Sequence, residues 1–345
     1  CNFHKFPLSK LAFKFNISLM QKTIITNLLK FSFAAGLIYW LVTSGKIDFS
    51  LLSQLMNKPL TIALIVIALQ LDHMLVAFRL KVLIQKRAAK SINFLKLFIS
   101  NWIGIFFNSV LPGSVTGDLI KIFYIQELDK NLTKKFLLIS VLVDRVVGLI
   151  GLVLVGGITS LIHYKTLTAL SYEVEKLVQV NIALVLGVFL TLGLIFFLPQ
   201  LPPLISQFFQ KKNIMAGLFN KLEEIWNDLC LFRNRLLLLI GLSVLVQSGA
   251  VLIFWYLTSP FAQGDFNLTT AFSIMPIGFI SIAIPIAPAG LGVGHAVFDK
   301  LLGFFSITNG ASLFNIYFFI VMFSNLTGVI PYILYPRKKK SVLKK

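Results

Sequence analysis

The chain has 345 residues, of which 57% are hydrophobic and only 13% are charged, and its mean hydropathy is +0.86. This charged share is about half that of an ordinary soluble domain, and long apolar runs recur throughout, so the composition predicts a polytopic helical membrane protein. The net charge of +19 would indicate nucleic acid in a soluble protein. Here the basic residues lie in loops between apolar runs, so no nucleic-acid partner is expected.

Six apolar runs are long enough to cross a bilayer as helices, for which about 20 residues suffice. They cover residues 24–43, 60–78, 136–162, 181–198, 236–258 and 313–335. Two further runs, 97–125 and 271–305, are interrupted by proline and glycine. We therefore predict an all-α polytopic membrane domain over 24–335, with a basic tail at each end (1–23 and 336–345).

The positions of lysine and arginine predict the orientation. Of the 32 basic residues, 25 fall in segments that can all lie on one side, and four fall in the loops of the other side. This partition requires both interrupted runs to enter and leave on the same side, because otherwise Lys130, Lys134 and Lys135 would lie outside. The positive-inside rule then places residues 126–135 and both termini in the cytoplasm of a cell inner membrane.

Each interrupted run is therefore predicted to form a re-entrant broken-helix hairpin, one entering from each face, as in transporters with inverted repeats. Fourteen residues precede the break in the first run, and as a helix they reach roughly 21 Å, short of the ~30 Å core. Irregular backbone at that depth needs protein or water around it. The alternative is a kinked helix packed against its neighbours, since proline and glycine are common in membrane helices.

Four stretches of the chain, "AFRLKVLI", "NSVLPGSVTGDLIKIFYI", "DRVVGLIGL" and "PIAPAGLGVGHAVFDKLL", resemble the lysylphosphatidylglycerol synthase transmembrane family. This flippase-like domain also forms the membrane part of multiple peptide resistance factor. The resemblance covers roughly 24–335. It implies a stand-alone flippase that moves a polar lipid between leaflets: an anionic or aminoacylated phospholipid, a glycosylated lipid or a polyprenyl-linked one. Some relatives carry a transferase domain, so a separate lipid-synthesising enzyme is an expected partner.

The motifs and the charges at membrane depth together give the candidate substrate-binding residues. They are Arg79, Asn108, Pro112, Gly113, Gly117, Asp118, Lys121, Asp144, Arg145, Pro288, Gly290, Gly292, His295 and Asp299. Four positions depart from the family pattern, and they put the head-group preference in doubt. They are Thr116 before Gly117, Lys121 in place of arginine, Ala289 in place of glycine and His295 in place of glutamate.

Charged residues inside a membrane are costly, so each is a candidate for function. Asp118 is interpreted either as a ligand for a cationic head group or a coupling proton, or as the cap of a short helix. Asp144 and Arg145 are adjacent and project about 100° apart, so each needs a partner from another element. Arg145 is predicted to reach a lipid phosphate or Asp118, and a structural ion pair is the alternative.

Two further pairs share a helix face by their spacing. His295 and Asp299 are four residues apart and are interpreted either as a proton-responsive pair or as a hydrogen bond that anchors the second hairpin. Asp72 lies two turns from Arg79 in the second span. Arg79 is interpreted either as the partner of Asp72 in an internal pair or as a contact for a phosphate near the cytoplasmic surface.

Enzymatic activity is the alternative function, as a membrane-embedded lipid or glycosyl transferase, and a scaffold for a lipid-synthesising partner is another. Neither is favoured, because no paired aspartates for magnesium-diphosphate chemistry and no metal-spaced cluster occur. No catalytic residue, metal, cofactor or disulfide between Cys1 and Cys230 is predicted. The first methionine is Met20, so residues 1–19 are either a basic tail or an extension upstream of the native start.

Overall fold

The computed structural model describes residues 50–110, 116–197, 232–283 and 291–335, together with Tyr39 and Thr43. Within these ranges every regular element is helical. In chain order the α-helices are α1 Ser50–Met56, α2 Pro59–Ile84, α3 Phe94–Val110, α4 Thr116–Leu128, α5 Lys134–Ile162, α6 Tyr164–Thr168, α7 Tyr172–Phe197, α8 Arg233–Thr258, α9 Leu268–Ala283, α10 Val293–Gly303, α11 Gly310–Leu326 and α12 Val329–Leu334.

Over the described residues, five helical stretches are long and apolar enough to cross a membrane. They are α2, α5, α7, α8 with the 3-10 turn that follows it, and the stretch formed by α11 and α12. These stretches confirm five of the predicted spans and the all-α polytopic membrane architecture. The first predicted span, 24–43, lies outside the described residues except for Tyr39 and Thr43, which are helical.

The last predicted span, 313–335, is one stretch in the sequence but two helices in the structure. Helix α11 ends at Leu326 and α12 begins at Val329. Pro331 lacks the amide hydrogen that would bond the carbonyl of Thr327, so a continuous helix loses a bond there. Gly328 packs directly on α3, where an added Cβ would lie 2.6 Å from the carbonyl oxygen of Trp102.

Both interrupted runs form pairs of short helices. Helices α3 and α4 have 17 and 13 residues, so they are about 25 and 20 Å long. Helices α9 and α10 have 16 and 11 residues, or about 24 and 17 Å. The predicted tips themselves, including Pro112, Gly113, Pro288 and Gly290, lie outside the described residues.

Helices α3 and α4 pack antiparallel against each other. The amide of Gly117 donates to Asn108 Oδ1 at 2.7 Å, and further along α4 Lys121 Nζ donates to Asn101 Oδ1 at 3.3 Å. The two backbones approach closely at paired glycines, since a Cβ on Gly117 would lie 1.9 Å from the carbonyl oxygen of Gly104. Small residues permit such close approach of helices in membranes.

The loops on either side of this hairpin meet at one end of the molecule. The amide of Ala89, before α3, donates to the carboxylate of Asp129, after α4, at 2.7 Å. Hydrogen bonds from the amides of Asn131 and Ala89 hold the pKa of Asp129 below its ordinary value. Arg235 also reaches this end, donating to the carbonyl of Val82 at 2.9 Å. We call the region formed by residues 85–93, 129–133 and 232–235 the basic end.

Helix α9 begins, and helix α10 ends, at the opposite end of the molecule. The amide of Thr308, after α10, donates to the carbonyl of Gln263, before α9, at 3.3 Å. Lys58, before α2, lies 5.1 Å from the ring centroid of Phe261 at the same end. Gly264 packs against the segment after α10, where an added Cβ would lie 2.8 Å from the carbonyl oxygen of Ser306, and its φ of +141° is unfavourable for other residues. The two hairpins therefore start from opposite ends of the bundle.

Helix α5 lies at the centre of the bundle and contacts α2, α4, α7, α8 and α9. Its glycines bring the neighbouring helices close. An added Cβ would lie 2.3 Å from Ser243 Oγ at Gly151, and 1.9 Å from the Val185 side chain at Gly157. These glycines thus serve close helix packing. Because several helices pack on α5, its charged side chains can reach more than one of them.

We expect Gly117→Ala to destabilise the protein by about 3 kcal/mol or more, because the new methyl group would overlap a backbone carbonyl that cannot move without separating α3 from α4. Gly241→Ala is the matched control, since nothing lies within 4 Å of its added Cβ. That control should be neutral or stabilising by up to ~1 kcal/mol. Thermal unfolding midpoints in detergent measure both changes, and equal midpoints would contradict the close packing of the hairpin.

Candidate functional site: a charge cluster beneath a cavity between the hairpins

Asp118 is the centre of a buried ionic cluster. Arg145 contacts Asp118 Oδ2 through Nε at 2.8 Å and through Nη2 at 2.6 Å. Lys121 Nζ lies 3.1 Å from Asp118 Oδ1 and donates to Asn101. Asp118 and Lys121 are buried, whereas 40% of the Arg145 side chain is exposed. Of the two partners predicted for Arg145, Asp118 is therefore the one that the structure shows.

A second buried pair lies one residue away along α5. Arg79 Nε donates to Asp144 Oδ1 at 2.7 Å, and its Nη1 donates to Ser243 Oγ at 3.0 Å. Ser243 Oγ in turn donates a hydrogen bond to the carbonyl oxygen of Val147 at 2.8 Å. Both charged side chains are almost fully buried, so the pair satisfies charges that would be expensive if either stood alone.

Adjacent residues of α5 thus hold two different parts of the bundle. Because they project about 100° apart, Asp144 faces Arg79 and Arg145 faces Asp118 on the first hairpin. Arg145 is eleven residues from the start of α5, so its Cα lies about 17 Å from the basic end. The two clusters contain three cationic and two acidic side chains, and Arg145 is the most exposed of the five.

A cavity of about 370 Å³ lies between the ends of α3 and α9 and the middle of α11. Its described lining comprises Ile105, Asn108, Ser109, Phe279, Ile282, Ala283, Phe314, Tyr317, Phe318, Val321, Met322 and Asn325. Ser109 and Ala283 lie near the ends of the helices that lead into the two predicted tips. The cavity is therefore shared by both hairpins and is mostly apolar with a small polar part.

Asn108 connects the cavity to the charge cluster. It lines the cavity, and its Oδ1 accepts the hydrogen bond from the amide of Gly117 at the start of α4. Asp118 follows directly and lies in the first turn of this helix, where a carboxylate is favoured by the free amides. A carboxylate in the first turn of α4 can lie near the free amides and form ion pairs at the same time, so the capping interpretation of Asp118 is compatible with its ion pairing.

Asp72 and Arg79 do not form the pair that their spacing suggested. Arg79 is turned towards Asp144, and among the described residues Asp72 Oδ1 is buried without a hydrogen-bond partner. Asp72 Oδ1 faces α8, where it would lie 3.3 Å from a Cβ at Gly249. The physical reason is that residues seven apart are about two turns distant, whereas Asp144 on the adjacent helix lies within direct reach of the guanidinium.

His295 and Asp299 are also separated. His295 Nε2 forms its hydrogen bond with Asn315 Oδ1 at 3.1 Å, and within the described residues its Nδ1 has no hydrogen-bond partner. Asp299 Oδ1 accepts from the amide of Ala311 at 3.4 Å, at the start of α11. Both residues thus join α10 to α11, which corrects the predicted His295–Asp299 hydrogen bond and is consistent with an anchoring role. Gly292, with φ of +77°, caps the start of α10.

Several contributors to this site carry no signal in the sequence. Asn101, Ser243 and Asn325 are uncharged residues in apolar helices, and a neutral polar residue within a long span is ordinary. Their places beside Lys121, Arg79 and the cavity depend on which helices are neighbours. A pattern of small or polar residues on one face of each helix is the only signal that could have indicated them.

A bundle of apolar helices around buried ion pairs defines this molecule as a multi-pass helical membrane protein. Residues 27–334 match the model of the family described as Lysylphosphatidylglycerol synthase TM region, and the chain belongs to that family. This confirms the resemblance of its motifs and relates the protein to membrane lipids. No curated protein matches the chain.

We expect Arg79→Met to cost about 3–5 kcal/mol of stability, because it leaves Asp144 buried and unpaired. Arg145→Met should cost clearly less, since Asp118 keeps Lys121 and the lost side chain is partly exposed. Combining Arg79→Met with Asp144→Leu should recover most of the loss, because both charges then leave the apolar interior. Detergent thermal unfolding of the three variants measures this order, and a double variant as unstable as Arg79→Met would contradict a direct pair.

Proposed function

We propose that this protein is a flippase that moves a phosphate-bearing polar lipid between the two leaflets without changing it chemically. One observation carries the proposal: two pairs of half-length helices start from opposite ends of the bundle, and the C-terminal ends of the first helix of each pair, α3 and α9, line one cavity. A polar head group that crosses a bilayer needs a route through about 30 Å of hydrocarbon. A cavity reached from both ends through short helices would provide one.

The hairpins are proposed to be re-entrant. Helices α3 and α4 are antiparallel and shorter than the hydrocarbon core, and α3 begins and α4 ends at the basic end. Helices α9 and α10 have the same properties at the opposite end. By the positive-inside rule the basic end faces the cytoplasm. The second hairpin then enters from the outer face of the membrane, and the cavity lies near mid-membrane.

The phosphate is proposed to bind beside Arg145. The charged cluster contains two cations, Arg145 and Lys121, around Asp118, and Arg145 is its exposed member. Guanidinium groups bind phosphate oxygens by two parallel hydrogen bonds and are less strongly hydrated than ammonium groups. Asp118 orients the Arg145 side chain from below, and Lys121 adds a second positive charge to the same carboxylate.

Transport would then proceed by stabilising the head group while the acyl chains stay in the bilayer. The cavity provides polar atoms and the positive cluster provides charge, so the cost of moving a phosphate through hydrocarbon falls. In this proposal the lipid is made by a separate enzyme. The free energy for net movement would come from a gradient or from consumption of the lipid on the receiving side.

We expect Arg145→Gln to abolish lipid movement while leaving the protein inserted and folded, because it removes the exposed positive charge but keeps a hydrogen-bonding side chain. Lys176→Gln is the matched control, since it removes one exposed positive charge near the start of α7, far from Arg145. The measurement is the loss of leaflet protection of acyl-labelled phosphatidylglycerol in liposomes that contain purified protein.

The recovered lipid should be chemically identical to the lipid supplied, which mass spectrometry checks in the same samples. Wild-type movement in Arg145→Gln would remove this residue from the mechanism. An unaltered leaflet distribution with the wild-type protein, or conversion of the lipid into another species, would contradict the flippase proposal itself.

A further inference from the structure

Asp72 is an acid at the middle of a membrane span that the proposed lipid route does not use. It lies midway along α2, Pro59–Ile84, so its Cα is about 20 Å from either end of the helix. An ionisable residue at this depth is costly, and in membrane proteins such residues mark ion and proton pathways. Asp72 therefore needs either a partner or a function.

The described part of the chain gives Asp72 no ion-pair partner for its buried oxygen. Arg79, the nearest cation along α2, is bound to Asp144, and Asp72 Oδ1 is buried with no hydrogen-bond partner among the described residues. It faces Gly249 on α8, where an added Cβ would lie 3.3 Å away. The neighbouring titratable group, His73, also has a buried Nδ1 without a partner there. An ionised Asp72 would thus be an unpaired charge inside the bundle.

A proton is the ligand that fits this position. Because Asp72 Oδ1 is buried between α2 and α8, neither water nor a metal ion has room beside it. A metal ion would also need several oxygen ligands, and the described residues contain no group of three or more His, Cys, Asp or Glu side chains that could hold one. A proton needs no such space, and it removes the charge whose burial is costly.

Tyr317 connects Asp72 to the cavity. It lies on α11 and lines the cavity, and its hydroxyl interacts electrostatically with the Asp72 carboxylate. Its ring centroid is 5.0 Å from that of Phe254 and 5.8 Å from that of Phe279, so the ring is held in place. A tyrosine hydroxyl both donates and accepts hydrogen bonds. It can therefore take a proton from Asp72 and release its own on the cavity side, and it is unchanged afterwards.

The charge of Asp72 affects a phosphate in the cavity. An ionised carboxylate behind Tyr317 would repel the phosphate, since like charges repel most strongly in an interior of low dielectric constant. A protonated Asp72 has no such effect. The phosphate is therefore bound best when the proton is present, which makes the lipid and the proton move in the same direction.

We propose that Asp72 is a proton-binding site and that the protein carries one proton together with each anionic lipid. Asp72 is protonated while the phosphate occupies the cavity. After the lipid has left, the O–H bond of Asp72 breaks, the carboxylate keeps the electron pair, and the proton passes through Tyr317 to water on the receiving side. The inference rests on the proposed flippase function and names its source of free energy. In a cell whose cytoplasm is the more alkaline side, lipid would be drawn to the inner leaflet.

Infrared spectroscopy tests the proton site without requiring transport. Purified full-length protein at neutral pH, in a detergent without carbonyl groups, should show the carbonyl stretch of a protonated carboxyl group, and Asp72→Asn should lose it. Asp265→Asn removes an exposed acid and is the matched control, which should keep the band. Because an amide is as uncharged as a protonated acid, Asp72→Asn should unfold thermally at the wild-type temperature.

A pH gradient across liposomes tests the coupling, with protein-free liposomes as background. Wild-type protein should concentrate acyl-labelled phosphatidylglycerol in the leaflet on the more alkaline side. The leaflet ratio should reach up to about tenfold per pH unit, which one coupled proton can balance. Asp72→Asn should still exchange lipid but leave it evenly distributed, and Tyr317→Phe should slow the accumulation while keeping the infrared band. Met322→Leu, at an apolar lining position, is the control and should change neither.

The outcomes separate this inference from the proposed function. A carboxyl band that persists in Asp72→Asn, or is missing in the wild type, would overturn the proton site. Lipid that moves but stays evenly distributed under a pH gradient would show that the coupling is wrong although the protein is a flippase. Accumulation under a sodium gradient at equal pH would contradict a proton as the coupled ion. If no lipid moves with wild-type protein, the flippase proposal fails and the coupling with it, whereas the infrared band still decides whether Asp72 binds a proton.

Discussion

The structure depends on how one turn of a central helix places an acid and a base next to each other inside an apolar bundle. Asp144 and Arg145 would each be too costly at this depth without a partner. Because they point in different directions, the partners must come from two different elements, Arg79 on α2 and Asp118 on the first hairpin. This requirement fixes the hairpin against the bundle and leaves the half-exposed Arg145 near the route proposed for the lipid.

The small residues complement these charges. Gly104 and Gly117 bring α3 and α4 into contact, and the glycines of α5 allow α7, α8 and α9 to approach its backbone. Without this close approach the side chains of Arg79 and Ser243 would not reach α5. Close packing and buried charge pairing thus depend on each other, and the described lining of the cavity comes from the ends of α3 and α9 and the middle of α11.

Five of the six spans and the two interruptions could be predicted from the sequence, because apolar length and helix-breaking residues are local properties. The same holds for the pairing of Arg145 with Asp118, since few acids at that depth are available. Of the two interpretations of Arg79, the internal pair with Asp72 is not formed, because spacing within one helix carries no information about the helix beside it. The His295–Asp299 pair failed for the same reason, since Asn315 on α11 competes for the histidine. The place of Asn325 depends on its contact with Ser109 on α3, which a single sequence does not encode locally.

The central claim is that residues 94–128 enter and leave the membrane on one face. Single cysteines at Lys90 and Lys130, introduced in place of the lysines with Cys1 and Cys230 replaced by serine, flank this segment. The measurement is their labelling by a membrane-impermeant thiol reagent before and after cells are opened. The account predicts that both positions behave alike and react only in opened cells, while a cysteine at Asp265 reacts in intact cells. Reaction of Lys130→Cys from outside while Lys90→Cys stays protected would show that the segment crosses the membrane, and it would contradict the account.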